Sequence, residues 1–517
     1  SFKNKFALSS LDYKIQDLNN LSFSAKTETE KLNIAISKFG KLGDAIVITP
    51  KSICDKSISY ISDEEIVKLF KEDKFVLDLG TSAGELAQSL YKRIGKTSID
   101  SNLYKTKILS IPKNAICYEL TRKVYELIGL SVDCISTKFD SFSLLNLIKP
   151  TDINSYKSLA KKLLYKTKFS QNDLTKETNN MIKISAIVGN PPYQEGRKNI
   201  FLEFQKIADE INPDTSSLIF PAKRWIHQSG KGCESFGLTQ INDPKLSELY
   251  YYPNSKDIFS DVDVSDGISI IIKKKNNNTN KFIYHYIEGT NETIIEQSKP
   301  GTNMLILCPK DINLINKIRS FVKTNKIKWL SDAGFDQKFF GIESNFAELN
   351  PNDVKKYHKG DKLKKDEIKL FTNDKSGPAG RSEWFITKRG LIVKNKEFID
   401  KYQIIVSSAH PGGQDKRDNQ LELIGQCTAF GRARIQLKSF DSLKEAENFL
   451  KYAKSKFFRY CLLMTDESLV SFAKLVPDFG DYSEKSAINF DEDVDEQISR
   501  LLKLSVEDWK IINSYIK

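Results

Sequence analysis

Up to about residue 290 the chain alternates short apolar runs with helical patterns. Phe75, Val76 and Leu77 lead into Asp78, a glycine turn and a helix starting near Glu85. Ala115 to Leu130 reads as a second strand ending at Glu119 and then a helix, and VDCISTKFDSFSLL reads as a third strand with Asp140 in the loop after it. Ile184 to Val188 ends at Gly189 and runs straight into Asn190-Pro191-Pro192-Tyr193. A helix follows with apolar positions Phe201, Phe204 and Ile207, and SLIF (217–220) and Ile268 to Ile272 give further strands. Short, β-branched apolar runs suit strands buried on both faces. The alternation predicts an α/β fold with a mainly parallel, doubly wound sheet.

Outside that rhythm, residues 1–42 read as a polar helical extension anchored by Phe2, Phe6 and Leu8. Thr49-Pro50 marks a loop before an amphipathic segment through Ile53, Ser57 and Ile58. Residues 150–182 are lysine-rich, with an amphipathic helix near Leu159 to Tyr165; Lys157, Lys161, Lys162, Lys166 and Lys168 read as a solvated face more readily than a phosphate grip. KKKNNNTNK (273–281) is a polar hairpin or linker. Beyond Pro300 a helical connection is followed by loops rich in glycine, aromatic and basic residues, a helical stretch from Ser442 to Met464, and two amphipathic tail helices. These shifts divide the chain into 1–42, 43–300 and 301–517.

Composition adds less. Hydrophobic residues are 40% and charged residues 28%, the balance of a soluble globular protein. No apolar run approaches the roughly 18 residues of a transmembrane helix, and the N-terminus has no signal-peptide core. Seven scattered cysteines form no CxxC, so neither zinc, nor any other metal, nor a disulfide framework is expected, and a reducing compartment fits. The net charge of +12 and pI near 9.0 suit a polyanionic partner, although a composition rich in Lys, Asn and Ile produces the same excess. Gly95-Lys96-Thr97 resembles the end of a P-loop, but Leu90 stands where its first glycine belongs.

The chemistry concentrates at Asn190 to Tyr193. Two prolines end the strand and fix the backbone at its carboxyl edge, where open α/β sheets bind ligands. The Asn190 side-chain carbonyl and the Pro191 backbone carbonyl are two acceptors for the two hydrogens of an exocyclic amino group. Tyr193 offers a face for a base taken out of its stack. A tight strand-ending turn with a packed tyrosine is the plainer reading of the same four residues. The Asp-x-Gly-x-x-x-Gly turn at 78–84 is a nucleotide-type βα turn, weak as a lone pattern. Glu119 follows it at about twice the ordinary ~20-residue spacing to a ribose-holding acid, and reads equally as an acid favoured by a helix dipole.

Together these residues resemble the gamma-class adenine-specific DNA methyltransferases of restriction–modification systems. The order is the same: a TP segment, a cofactor loop, NPPY and a C-terminal target-recognition region; the tail EAENFLKYAKSKFFRYCLLM…LVPDFGDYS adds to the likeness. The resemblance implies a Rossmann-like S-adenosylmethionine-dependent methyltransferase domain followed by a mixed α+β target-recognition domain. It implies catalytic Asn190, Pro191, Pro192 and Tyr193, and cofactor contacts by Thr49, Asp78, Gly80, Gly84, Glu119 and Asp140. It further implies double-stranded DNA as partner, adenine over cytosine as target, a cytoplasmic setting at the nucleoid and room for a restriction endonuclease partner. Ser82 departs from the family's glycine, and Asp266-Gly267 replaces a glycine pair. In the region beyond 300, Arg381, Arg417, Arg432 and Arg434 are the candidate DNA contacts. Competing readings are a fused restriction–methylation enzyme, for which Asp353 with Glu367-Ile368-Lys369 is the nearest nuclease-like set, a non-catalytic specificity subunit, and methylation of RNA or protein.

Overall fold

In the computed structural model, residues 41–43, 46–95, 100–163, 182–196, 198–229, 232–259, 262–375, 381–414, 417–465, 469 and 471–516 are described. The expected helices of 1–40, together with Lys96, Thr97, Lys166, Lys168 and Gly377 to Gly380, lie outside the described residues. The chain divides into two compact units, 1–226 with 235–303, and 227–234 with 304–517.

The first unit is built on an eight-stranded sheet. In chain order its strands are β1 (Lys74–Thr81), β2 (Ile108–Pro112), β3 (Lys183–Gly189), β4 (Thr215–Pro221), β5 (Leu246–Tyr252), β6 (Ile268–Lys274), β7 (Lys281–Glu288) and β8 (Asn291–Ser298). Their order across the sheet is β8-β7-β5-β6-β4-β3-β1-β2. The half that carries the motifs is wholly parallel: β1 pairs with β2 and β3, and β3 with β4. Helices α1 (Lys51–Ser59) and α2 (Asp63–Lys71) precede the sheet, and the crossovers between its parallel strands carry α3 (Glu85–Ile94), α4 (Ala115–Ile128), α5 (Ser141–Leu145), α6 (Ile153–Leu163) and α7 (Phe201–Ile211). The parallel strands are buried nearly end to end, as their unbroken apolar runs require. Phe201, Phe204 and Ile207 of α7 are buried, the face that the 3.6-residue spacing predicts.

The other half is mixed, because β6 inserts antiparallel between β4 and β5. The apolar run of β6 is legible, whereas LSELYYY of β5 lacks β-branched residues. Strands β7 and β8 form a hairpin, with β8 (NETIIEQS) largely exposed at the sheet edge; charged residues there discourage pairing with another chain. The expected third strand near 131–145 is reduced to a 3-10 turn (Val132–Cys134) and a single bridge, Ser110 to Ile135. Its one apolar pair is followed by Ser-Thr-Lys, too little to sustain a ladder.

The second unit holds a four-stranded sheet and a three-stranded one, with helices over their cores. The helical stretch expected from Ser442 is broken at Ser455, whose side chain caps a new helix (Lys456–Leu463) at the Phe458 amide, 3.1 Å away. The two tail helices are present at Val494–Leu502 and Val506–Tyr515. Among the described residues no helix is long and apolar enough to cross a membrane.

Candidate active site

The loop after β1 and the loop after β3 leave the sheet side by side at its carboxyl edge. Two glycines set how close they come. A Cβ on Gly189 would lie 2.2 Å from the Leu79 carbonyl oxygen, and one on Gly80 would lie 2.5 Å from Pro191 Cα. The side chain that Gly80 lacks would face Pro191. Gly80 (φ +85°) and Gly84 (φ +72°) both take left-handed backbone, which glycine adopts without strain.

Thr49 joins the two loops. Its hydroxyl accepts from Asn190 Nδ2 at 3.1 Å, and its backbone amide donates to Glu85 Oε1 at 3.1 Å. Asn190 is buried, and its Oδ1 accepts from the Tyr193 hydroxyl at 2.8 Å. One lone pair of the acceptor oxygen is therefore engaged by Tyr193, which leaves a second for another donor. Burial raises the Tyr193 phenol above its ordinary range, so it stays a neutral donor. Ser82 is buried and donates to the Val47 carbonyl at 2.9 Å. The serine ties the β1 loop to the segment that carries Thr49.

Asp78 is fully buried, and among the described residues no donor reaches either carboxylate oxygen with hydrogen-bond geometry. Burial first, and the charge of Glu85 second, push its carboxyl well above the usual range; nearby Thr81, Lys113 and the Ala87 amide offset only part of this. A carboxyl held this way has too little positive charge around it to offset its burial. Asp78→Asn is expected to stabilise the ligand-free protein at pH 7 by about 1–3 kcal/mol, the scale of an unsatisfied buried polar group. The folded pKa is raised, so the parent loses stability as pH climbs from the unfolded value of about 3.9 toward the folded one, and the variant does not. Thermal unfolding across pH 4–8 checks this; equal curves for the two proteins would refute it.

Two charged residues of the cleft escaped the sequence reading. Glu85 stands at the first turn of α3, and Lys113 follows β2. Lys113 is 1% exposed and donates to the Val47 carbonyl at 3.1 Å. Burial lowers its pKa against the opposing charges of Glu85 and Asp78. An acid in the first turn of a helix was a visible signal for Glu85; a single lysine after a strand carries none.

Of the expected cofactor residues, Glu119 is placed otherwise, and Asp140 stands in its expected loop with a partner of its own. Strand β2 ends at Pro112, and Asn114 caps α4 through the Cys117 amide at 3.0 Å. Glu119 therefore lies in the second turn of the helix, not at a strand end, and its exposed carboxylate pairs with Arg122 at 2.7 Å. Asp140 caps α5, accepting from the Ser143 amide at 2.7 Å in a reciprocal capping box.

In the second unit, Arg381, Arg432 and Arg434 line one cavity of about 620 Å³, with Phe371 and Asn373. Arg417 lines a separate depression with Arg459. Arg434 corrects the expectation of an exposed contact. It is 8% exposed, its guanidinium lies 4.7 Å from the Phe371 ring centroid, and it binds Gln420 and faces Glu422 at 3.8 Å. Arg432 is half-exposed and pairs with Glu343 at 3.3 Å, and Arg381 and Arg417 are exposed.

Residues 107–259, which include Lys113 and Asn190 to Tyr193, match the Eco57I restriction-modification methylase family. None of the curated proteins matches the sequence. Similar solved structures include the type I restriction-modification methyltransferase subunit from Streptococcus thermophilus, at 15% identity over 50% of this chain and 51% of that one, TM-score 0.33. A nuclease-deletion mutant of the Type ISP enzyme LlaGI with a DNA substrate mimic is 12% identical over 88% and 55%, TM-score 0.46. A DrdV–DNA complex is 10% identical over 84% and 56%, TM-score 0.44. The chain spans about half the length of each of these solved chains.

Proposed function

We propose that this chain is the modification part of a restriction–modification system, transferring a methyl group from S-adenosylmethionine to the exocyclic amino group of an adenine flipped out of double-stranded DNA. The observation that carries the reading is the Thr49–Asn190–Tyr193 array, held against the glycine turn of β1 at the carboxyl edge of parallel strands. Asn190 Oδ1 and the Pro191 carbonyl accept the two amino hydrogens and hold the nitrogen in line for transfer. The Tyr193 ring stacks the base, its hydroxyl swinging from or sharing Asn190 Oδ1 as the base arrives.

The cleft residues suit the amino-acid end of the cofactor. Buried Asp78, poorly served by its neighbours, fits an ammonium, and the Thr49 amide with the Ala83 amide before α3 fits a carboxylate. Bound S-adenosylmethionine supplies the activated sulfonium methyl. Gly80 and Gly84 shape the turn around it and Asp140 keeps an oxygen for the adenine edge, while Glu119, paired with Arg122 on its own helix, drops out of the ligand set.

The second unit serves target recognition, with Arg381, Arg417 and half-exposed Arg432 toward the duplex and Arg434 holding the cavity wall. A restriction endonuclease would act with or beside this chain. The nuclease-like set offers no support for a fused activity: Asp353 pairs with Lys388 at 2.7 Å, and Lys369 lies over the Tyr357 ring at 4.4 Å. Single-molecule sequencing of DNA from cells expressing the chain is expected to find N6-methyladenine at one sequence motif, lost in cells expressing Asn190→Ala. Unmodified adenine with modified cytosine, or no modified base at all, would overturn the reading.

A further inference from the structure

Glu85 opens α3, and its carboxylate turns back over the helix N-terminus. Oε2 accepts from the Ala83 amide at 2.7 Å, and Oε1 from the Thr49 amide at 3.1 Å. Amides converging at a helix start are a ready anion site. This chain fills it with a carboxylate of its own. Asp78, buried with only weakly placed donors from Thr81 and Ala87, is electrostatically coupled to Glu85, and Lys113 reaches the Val47 carbonyl at the other side. The cleft thus sets two acidic side chains against one lysine.

A free α-amino acid group is a zwitterion. Its ammonium answers the want of a cation at Asp78, but its carboxylate has no seat while Glu85 occupies the two amides. We propose that Glu85 is an internal stand-in for the carboxylate of the cofactor's amino-acid end, and that the cofactor enters by displacing it. The inference rests on the methyltransferase reading and adds to it a competitor built into the cleft. Glu85 is only partly buried, so its side chain has solvent to turn into once displaced. Displacement also frees the Thr49 amide from α3, while the Thr49 hydroxyl keeps its bond to Asn190. Seating of the cofactor is in this way felt at the residue that holds the target base.

The test is calorimetric, on the full chain, with two ligands. S-adenosylhomocysteine carries the amino-acid end; 5′-methylthioadenosine keeps the nucleoside and the thioether but lacks it. Glu85→Ala empties the anion site and is expected to bind S-adenosylhomocysteine roughly tenfold more tightly than the parent, the scale of one charge-assisted hydrogen bond. Its affinity for 5′-methylthioadenosine should stay within about twofold. Glu85→Gln, which keeps one acceptor, should fall between the two and covers the case of a poorly folding alanine variant. Equal or weaker binding of S-adenosylhomocysteine by both variants, with the parent binding normally, overturns the inference alone, and weaker binding would mean that Glu85 holds the ammonium. Failure of parent and variants to bind either ligand overturns the inference together with the cofactor reading.

Discussion

Asn190→Ala is expected to lower methyl transfer by at least ~10²-fold while leaving S-adenosylmethionine affinity within about threefold. The scale is that of removing one preorganised polar group aimed at the reacting centre. The separation of effects follows from where the side chain lies. Asn190 touches Thr49 only through its hydroxyl, whereas the Thr49 amide that faces the anion site is held from the other side by Glu85. Losing the amide leaves the Thr49 and Tyr193 hydroxyls without these partners, so a modest loss of stability, about 1–3 kcal/mol, should accompany the loss of turnover. Tyr193→Phe separates the roles further: it uncaps Asn190 Oδ1 but keeps the stacking ring, and most of the turnover should survive. Single-turnover transfer of labelled methyl groups, with calorimetry alongside, measures both. Near-parent turnover in Asn190→Ala would remove it from the chemistry.

Much of this cleft was legible because it rests on local chemistry. Short buried apolar runs placed β1, β3, β4 and β6, and the residues after β1 and β3 meet as parallel topology requires. Thr49, Asp78, Asn190 and Tyr193 stood out as single residues; their mutual contacts did not, because Thr49 is 141 positions from its hydrogen-bond partner Asn190. Glu119 was misplaced because Ala-Ile-Cys-Tyr reads as a strand. Asn114 caps a helix there instead, and Cys117, Thr121, Val124 and Tyr125 form its buried face. Arg434 was misjudged for another reason. A basic residue in a glycine-rich loop looks exposed, and only the Phe371 ring and Gln420 reveal that it is packed inward. Lys113 left no trace, since one lysine after a strand has no pattern, and its meaning depends on two acids brought to it by other elements.

The second large effect is expected at Gly189, and it tests the geometry that holds the two loops together. Its backbone is not in the left-handed region, so the argument is one of space alone. An added Cβ would sit 2.2 Å from the Leu79 carbonyl oxygen and 3.1 Å from Leu218 Cδ2. The leucine methyl can yield; a backbone oxygen in the neighbouring strand cannot, without parting β1 from β3 where Asp78 lies opposite Val188. Both strands are central, so the shift has no free edge to relax into. Overpacking of this kind costs about 3 kcal/mol. For a unit of this size that corresponds to a fall in melting temperature of roughly 6–12 °C. Gly95→Ala, whose Cβ would meet only ordinary contacts from 3.6 Å, should melt within about 1 °C of the parent. Gly80→Ala adds left-handed strain to a 2.5 Å encounter with Pro191 Cα, and because that residue adjoins Asn190, turnover should fall more steeply than stability. If Gly189→Ala melted with the parent, the two loops would not be packed as closely as these contacts require, and the shared placement of Asp78 and Asn190 would lose its support.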